Sequence, residues 1–305
     1  MNMHKVSVIG ASGMVGSAVV KALEGYDVVT PTHDDWDFTS QRDAETYFGI
    51  YRDIDTVILC AGKVGGIKAN MEDPYGFLYE NAMIGLNTIH AAKKFGIKHL
   101  INLSSSCVYP RLCKQPMKEE YMMTGSVEPT NEGYAFGKQV ALKMAEYAGY
   151  VSLIPCNIYG ENDDWSENGH VMAALVRRLC ETKENLDQKF VMRGSGTARR
   201  EFLHSQDLAE AIVHVMKMIH DGEDVPLTMN VGSGVDYSIR EMVTMIMKSI
   251  DYYPELDYDL SFPDGMPQKL TDVSKINNLG WESKIDIEQG IEFMVKEYEN
   301  NKLLG

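Results

Sequence analysis

The sequence predicts an α/β protein built on a doubly wound parallel sheet, with a smaller mixed α/β lobe towards the carboxy terminus. Three observations predict it. Val6-Ser7-Val8-Ile9 is an apolar run that passes at once into Gly10-Ala11-Ser12-Gly13-Met14-Val15-Gly16 and then into a helical pattern through Leu23, which is the strand, glycine loop and helix of a dinucleotide fingerprint. Further short apolar runs at 27–30, 55–59, 99–103 and 151–157 are separated by helical stretches, as parallel strands covered on both faces require. The 305 residues exceed one unit of ~150 residues but suit a sheet domain with one added lobe. The expected division is 1–160 for a dinucleotide-binding domain, which also receives segments near 201–232, and 161–305 mainly for a substrate lobe.

Taken in order, each element has a chemical use. The glycine loop lets the backbone come close to a pyrophosphate, and the helix N-terminus faces its charge; Gly10, Ala11, Ser12, Gly13, Met14, Val15 and Gly16 are therefore cofactor-binding candidates. The second strand ends in Pro31-Thr32-His33, without the carboxylate that would grip a ribose 2′-hydroxyl. A 2′-phosphate is not repelled there, so the sequence leans towards NADP, with NAD as the alternative. A helical pattern over 75–95 stops at Gly96. The fourth strand delivers Ser104-Ser105-Ser106-Cys107. Residues two apart on an extended segment share a side, so Ser105 and Cys107 are expected to address one substrate ring. Tyr134 and Lys138 stand four apart on a helix, where the ammonium can sit beside the phenol and favour its ionised form.

The formal charge of −15 argues against nucleic acid or an anionic membrane as partner, since both call for a basic face. Any phosphate must then be met by local arginines. The N-terminus shows no signal-peptide pattern, and no apolar run approaches the ~20 residues of a membrane span. Five cysteines, Cys60, Cys107, Cys113, Cys156 and Cys180, are an odd number at no metal-ligand spacing. No metal and a cytoplasmic, thiol-reduced protein are expected. His204 to Leu208 is expected to begin a surface or interface helix with Asp207 as an N-terminal charge, and Ser238-Ile239-Arg240-Glu241 is a capping box.

Ser105, the Tyr134-x-x-x-Lys138 pair and the glycine loop together resemble the extended short-chain dehydrogenase/reductase superfamily. Within it, Ala61-Gly62-Lys63-Val64-Gly65-Gly66-Ile67, Pro155-Cys156-Asn157-Ile158-Tyr159-Gly160, Gly194 to Phe202 and Pro263 to Leu270 are similar to segments of the fucose-synthase family. The resemblance implies a Rossmann-like domain, a homodimer and a GDP-4-keto-6-deoxy sugar that is epimerised at carbons 3 and 5 and reduced at carbon 4 by NADPH, giving GDP-L-fucose. It implies Cys107 as base, His170 as the acid opposite it, Tyr134 as proton donor with its pKa lowered by Lys138, and Ser105 as donor to the carbonyl. It also implies Asp37 and Phe38 as adenine contacts, Ser12 and His33 as cofactor-side residues standing where the family has arginines, and Leu103, Ser104, Pro155, Asn157, Ile158, Lys138 and His170 as the remaining cofactor contacts, those of 155–158 closing over the nicotinamide. Arg178, Arg193, Arg200, Asp264 and Lys269 are the implied substrate contacts, with Arg200 as diphosphate clamp. Arg193 and Gln268 stand where the family has a Trp and an Arg, and Cys156 replaces a Thr. Three alternatives stay open: a C4-reductase that acts without epimerisation, or on a related GDP-sugar such as a 6-deoxy-4-keto-heptose, an epimerase or dehydratase that retains NAD, and a cofactor-sensing protein without turnover.

Overall fold

The computed structural model describes residues 4–166, 169–186, 189–262 and 264–304. Pro263 of the expected substrate loop and residues 167–168 ahead of His170 lie outside them. In chain order, β1 (Lys5–Ile9) leads through the glycine loop to α1 (Met14–Ala22), then to β2 (Asp27–Val29). Next comes α2 (Gln41–Ile50), whose first turn is capped by Ser40 accepting from the Asp43 N–H, and β3 (Thr56–Leu59). The glycine-rich segment after β3 coils into a short helix, α3 (Ile67–Glu72), and α4 (Pro74–Lys94) starts on an Asp73 cap with proline in its first turn. β4 (His99–Leu103), α5 (Glu132–Ala148), closed by a left-handed Gly149, and β5 (Val151–Pro155) complete the first half.

The second half runs β6 (Asn157–Tyr159), α6 (Val171–Glu184), β7 (Lys189–Arg193), β8 (Arg199–His204), α7 (Ser205–His220), β9 (Thr228–Val231) and β10 (Asp236–Ser238). It ends with α8 (Ile239–Ser249), β11 (Glu255–Asp259), β12 (Gln268–Lys269), α9 (Ser274–Asn278) and α10 (Ile287–Leu304). The capping box at α8 is formed as the sequence predicts, with Ser238 and Glu241 each bonding the other's backbone N–H.

The central sheet has the order β2-β1-β3-β4-β5-β9 and every pair in it is parallel. The winding reverses at β1, which has β2 on one side and β3 on the other, so the crevice for a ligand opens at the carboxyl ends of β1 and β3. One face is covered by α1 and α7, the other by α2, α4 and α5. α4 and α5 pack with almost no space: a Cβ on Gly137 would lie 2.8 Å from the Asn81 Cβ, and one on Gly85 would fall into Ala141.

Two expectations are corrected here. The run 151–157 is not one strand. Cys156 N–H makes the last bond to β9, at 3.0 Å to the Val231 carbonyl, and from Asn157 onwards the chain pairs with β8 instead. The helix from Ser205 is not a surface helix: Leu208, Ile212, Val215 and Met216 are fully buried between α1 and the sheet. Asp207 accepts from the Lys284 and Ile285 N–H groups at 3.1 and 2.9 Å, and so ties down the segment before α10. In the carboxy-terminal lobe β8 lies between β10 and β12 and also pairs with β6, β7 pairs with β11, and α6, α8 and α10 close a second core.

Candidate active site

The glycines of the first loop have separate jobs. Gly10 has φ +89°, and a Cβ there would lie 2.6 Å from the Ala61 N; a Cβ on Gly16 would enter the Gly10 carbonyl. Both are required by the fold. Gly13 is not: its φ of −79° suits any residue, and a Cβ would meet only the Gly10 carbonyl at 3.7 Å. It is exposed at the N-cap of α1, provides no side-chain cap, and no acidic residue stands in the first turn. Free N–H groups, a bare surface and no opposing charge fit a pyrophosphate. Ala11, Ser12, Met14 and Val15 line the same turn, and none of them is fully buried.

Around this loop the expected cofactor residues fall into place unevenly. His33 is exposed after β2. Asp37 accepts from the Thr39 hydroxyl and N–H at 2.7 and 2.9 Å, which hold its carboxyl below the usual range. The Phe38 ring is buried edge-on against Tyr47, centroids 5.5 Å apart, so only its backbone is left to meet an adenine. At the end of β4, the Leu103 carbonyl accepts from Lys138 Nζ at 3.1 Å, and the buried Ser104 hydroxyl has no hydrogen-bond partner among the described residues. Pro155 ends β5, while Asn157 donates to the Glu201 carbonyl at 2.7 Å and Ile158 pairs with Leu203. An orphaned hydroxyl and a buried ammonium beside an open glycine loop fit the nicotinamide half of a dinucleotide.

The residues after β4 depart from the extended arrangement. Ser105 is extended, but Ser106–Val108 is a 3₁₀ turn. Cys107 is therefore not two places along a strand from Ser105; the turn folds it back so that its N–H donates to the Ser105 Oγ at 3.3 Å. The outcome expected of the strand, two side chains on one site, is reached by a tighter route. Tyr134 and Lys138 share a face of α5, with Lys138 Nζ 5.9 Å from the phenol ring centroid. Lys138 does not ionise the phenol as expected, because its ammonium is bonded to the Leu103 carbonyl. Burial, then the charge of Cys107, push Tyr134 up, and a hydrogen bond with Ser105 is the one opposing pull. The phenol is thus protonated at neutral pH, as a proton donor must be. Burial lowers Lys138 to about 8.

Cys107 is the centre of the cluster. Burial alone would raise its thiol, but the Lys269 ammonium at 3.3 Å and hydrogen bonds with Ser105, Lys269 and Asn131, the last at 3.1 Å, bring it below its ordinary value. His170 caps α6, and its Nδ1 lies 2.8 Å from Oδ1 of Asp163, a fully buried carboxylate. That hydrogen bond outweighs burial and raises the imidazole, with the charges of Asp163, Asp164 and Cys107 adding to it. Arg200 on β8 donates to the Arg199 and Asp264 carbonyls at 2.8 and 3.1 Å; burial lowers its pKa, and the nearby Cys107 charge partly offsets this.

The remaining substrate candidates are arranged around β7. Arg178 donates to the Val191 carbonyl and lies over Phe190 at 4.8 Å, and Arg193 lies over Phe262 at 5.2 Å. Asp264 binds the loop after β7, accepting from the Ser195 N–H and hydroxyl at 2.8 and 2.7 Å. Gln268 donates to Asp236 at 2.6 Å and so braces β12 against β10. The structure thus brings Ser105, Cys107, Tyr134, His170, Arg200 and Lys269 together, with Asp264 joined to them through its carbonyl on Arg200, while Arg178 and Arg193 pack on Phe190 and Phe262 around β7. Sequence reasoning gave no role to Asn131 or Asp163. Asn131 ends a single 3₁₀ turn and Asp163 lies in a loop, both too short to carry a periodicity; a carboxylate seven residues before a candidate histidine was the one available signal.

No described helix is long and apolar enough to cross a membrane, and no described group of His, Cys, Asp or Glu could hold a metal ion. A family model described as "NAD dependent epimerase/dehydratase family" matches residues 6–232. The GDP-L-fucose synthase of Escherichia coli (strain K12) is 40% identical over 95% of each chain. The GDP-L-colitose synthase of Yersinia pseudotuberculosis is 36% identical over 98% of this chain and 99% of its own. Among solved structures, a GDP-mannoheptose C4 reductase from Campylobacter jejuni with NADP bound superposes with a TM-score of 0.86, at 29% identity over 98% of this chain and 99% of that one. With the strand-loop-helix at Gly10 to Gly16, the Tyr134–Lys138 pair and these likenesses over nearly the whole length, the chain belongs to the NAD dependent epimerase/dehydratase family of extended short-chain dehydrogenase/reductases, and within it to the GDP-L-fucose synthases.

Proposed function

We propose that the protein converts a GDP-linked 4-keto-6-deoxy-hexose to GDP-L-fucose, epimerising carbons 3 and 5 and reducing carbon 4 with NADPH. The observation that carries this is the company of Cys107: an activated sulfur, a histidine held towards its protonated form, a protonated phenol and a serine hydroxyl converge at the end of β4. A ketone at carbon 4 acidifies the hydrogens on carbons 3 and 5. Cys107 takes a proton from one of these carbons, and His170 returns one to it. Ser105 donates to the carbonyl oxygen, and Tyr134 delivers its proton to that oxygen as reduction proceeds. When bound, the reduced nicotinamide supplies the hydride. Lys138 holds its ribose.

The absence of a carboxylate at the end of β2, together with the name of the NADP-bound Campylobacter reductase, supports NADP(H) over NAD. Gly10 to Gly16, His33, Asp37, Leu103, Ser104, Pro155, Asn157, Ile158 and the Phe38 backbone would hold it. Arg200 clamps the diphosphate because a guanidinium donates two parallel bonds, while Arg178, Arg193 and Asp264 receive the nucleotide. Residues 1–160, with the later segments near 201–232, serve the dinucleotide, and 161–305 mainly serve the sugar; β9 completing the central sheet supports this division. Leu78 and Tyr79 of α4 and Phe136, Val140 and Tyr147 of α5 are exposed, an apolar surface on the tightest helix pair that supports a homodimer. Five free cysteines support a reducing, cytoplasmic setting.

One rival has support of its own. Gln268 and Arg193 replace the family's Arg and Trp, and the Campylobacter neighbour is named a C4 reductase, which favours reduction without epimerisation on a related GDP-sugar. The test adds GDP-4-keto-6-deoxy-mannose and NADPH in heavy water. Cofactor oxidation with deuterium at carbons 3 and 5 and an L-fuco product is the expected result. Oxidation without deuterium selects the rival, and no oxidation with either dinucleotide overturns the choice of sugar.

A further inference from the structure

By resemblance Lys269 belongs to the sugar. In the structure its ammonium already has a protein partner: the residue is 8% exposed, and Nζ lies 3.3 Å from the Cys107 Sγ. Asn131, from the 3₁₀ turn Pro129–Asn131 ahead of α5, donates its amide to the same sulfur at 3.1 Å. We propose that Lys269, seconded by Asn131, is a positioning residue that holds Cys107 as a thiolate, the form able to take a proton from the sugar carbon. This rests on the reading of Cys107 as the base.

The other four cysteines show what burial does without such partners. Burial raises Cys60 to about 12 and Cys180 to about 11, and raises Cys113 and Cys156 as well. Cys107 is half-buried and burial acts on it in the same sense, yet its thiol goes the other way. The charged and titratable groups that act on its sulfur come from four elements: Lys269 on β12, Arg200 on β8, His170 at the head of α6 and Tyr134 on α5. Arg200 is bonded to the Arg199 and Asp264 carbonyls and His170 to Asp163, and the Tyr134 phenol is neutral, so the cation in contact with the sulfur is Lys269. Its position is set by the sheet, because Lys269 pairs with Arg200 in the β12–β8 register. The base is therefore made by residues from both halves of the chain. In the step itself the sulfur's electron pair takes the C–H proton, the C–H pair moves to form the enolate, and the oxygen carries the charge; Lys269 stays an ammonium, which favours the return of the thiolate once the proton is passed on.

The experiment titrates thiolate absorbance near 240 nm in the ligand-free protein, together with the iodoacetamide alkylation rate at neutral pH. With the four other thiols raised, an absorbance step below the ordinary thiol range belongs to Cys107, and Cys107→Ser should remove it. Lys269→Met should move the step upward and slow alkylation by about tenfold or more, since each unit of pKa changes the thiolate fraction about tenfold. Lys269→Arg should restore most of both, and Asn131→Ala should give a smaller shift in the same direction. A Lys269→Met protein with unchanged circular dichroism, whose titration and alkylation match the wild type, overturns the proposal. Should Lys269→Met not fold, unchanged titration in Asn131→Ala and wild-type alkylation overturn it equally. The titration contains no sugar, so a failed reduction assay and a failed thiolate assignment are separate outcomes.

Discussion

Replacing Gly10 and Gly13 one at a time by alanine should produce two unlike defects. At Gly10 the alanine is forced into the left-handed region, at about 1–2 kcal/mol, and its methyl meets the Ala61 N at 2.6 Å, an overpacking that costs about 1–3 kcal/mol. The sum, about 2–5 kcal/mol, is a large part of a total stability of about 5–15 kcal/mol, and corresponds to a melting temperature lower by on the order of 10 °C. At Gly13 neither cost arises, since φ is −79° and the nearest atom is 3.7 Å from the new methyl. There the lower entropy of the unfolded chain should stabilise by about 0.4–1 kcal/mol. The methyl instead stands where a pyrophosphate would meet the N–H groups of α1. Losing one hydrogen bond to a charged group, about 1.5–3 kcal/mol, weakens NADPH binding about 10- to 150-fold. Thermal melts with and without NADPH, and NADPH fluorescence titrations, read both effects. The reasoning fails if Gly13→Ala binds NADPH like the wild type, or if it melts as low as Gly10→Ala.

Tyr134→Phe keeps the ring beside Phe77 (centroids 6.4 Å apart) and removes only the acid. Ketone reduction should fall about 10²- to 10⁴-fold, the usual contribution of a general acid, while deuterium exchange at carbons 3 and 5 continues; equal loss of both would show that the phenol serves binding rather than protonation. Below the sheet, His220 stacks on His4 at 4.1 Å, lies 5.4 Å from the His99 ring and bonds Thr56 at 2.7 Å. Burial, helped by neighbouring cations, lowers both His99 and His220. The unfolded chain then takes up protons first as pH falls through about 6.5, so stability should be full above that pH and decline below it. Melting temperatures at pH 7.5 and 5.5 should show this fall, and His220→Gln should make it shallower; an unchanged pH dependence in His220→Gln would remove the histidines as its cause.

What the sequence made legible follows from local rules. The run Val6 to Ile9, the spacing Gly10, Gly13, Gly16 and the i,i+4 pair Tyr134–Lys138 each state their geometry within a few residues, and the structure agrees with it. The capping box at Ser238 is as local. What failed needed partners far away in the chain. The switch of Asn157 from β9 to β8 depends on a strand more than 40 residues later, and the burial of the Ser205 helix depends on α1, almost 200 residues earlier. Cys107 shows both cases at once. Its neighbourhood to Ser105 was readable, but the turn that achieves it was not, and the charge state of its sulfur is decided by Lys269, 162 residues on.

The same point removes an apparent conflict between composition and ligand. A chain with a formal charge of −15 should repel a nucleotide sugar and a dinucleotide phosphate at long range, but such repulsion is screened beyond about 8 Å at physiological ionic strength. Within the site the balance reverses. Lys138 and Lys269 are buried there and Arg200 is half-buried, and loss of solvent has lowered both Lys138 and Arg200. Cations held in a low dielectric act more strongly on a nearby anion than surface cations do, at the cost of their own hydration. That cost is already met in the folded protein by the Leu103, Arg199 and Asp264 carbonyls and the Cys107 sulfur. Net charge therefore says little about which anions this protein binds, and the positions of two buried lysines and one half-buried arginine say a good deal.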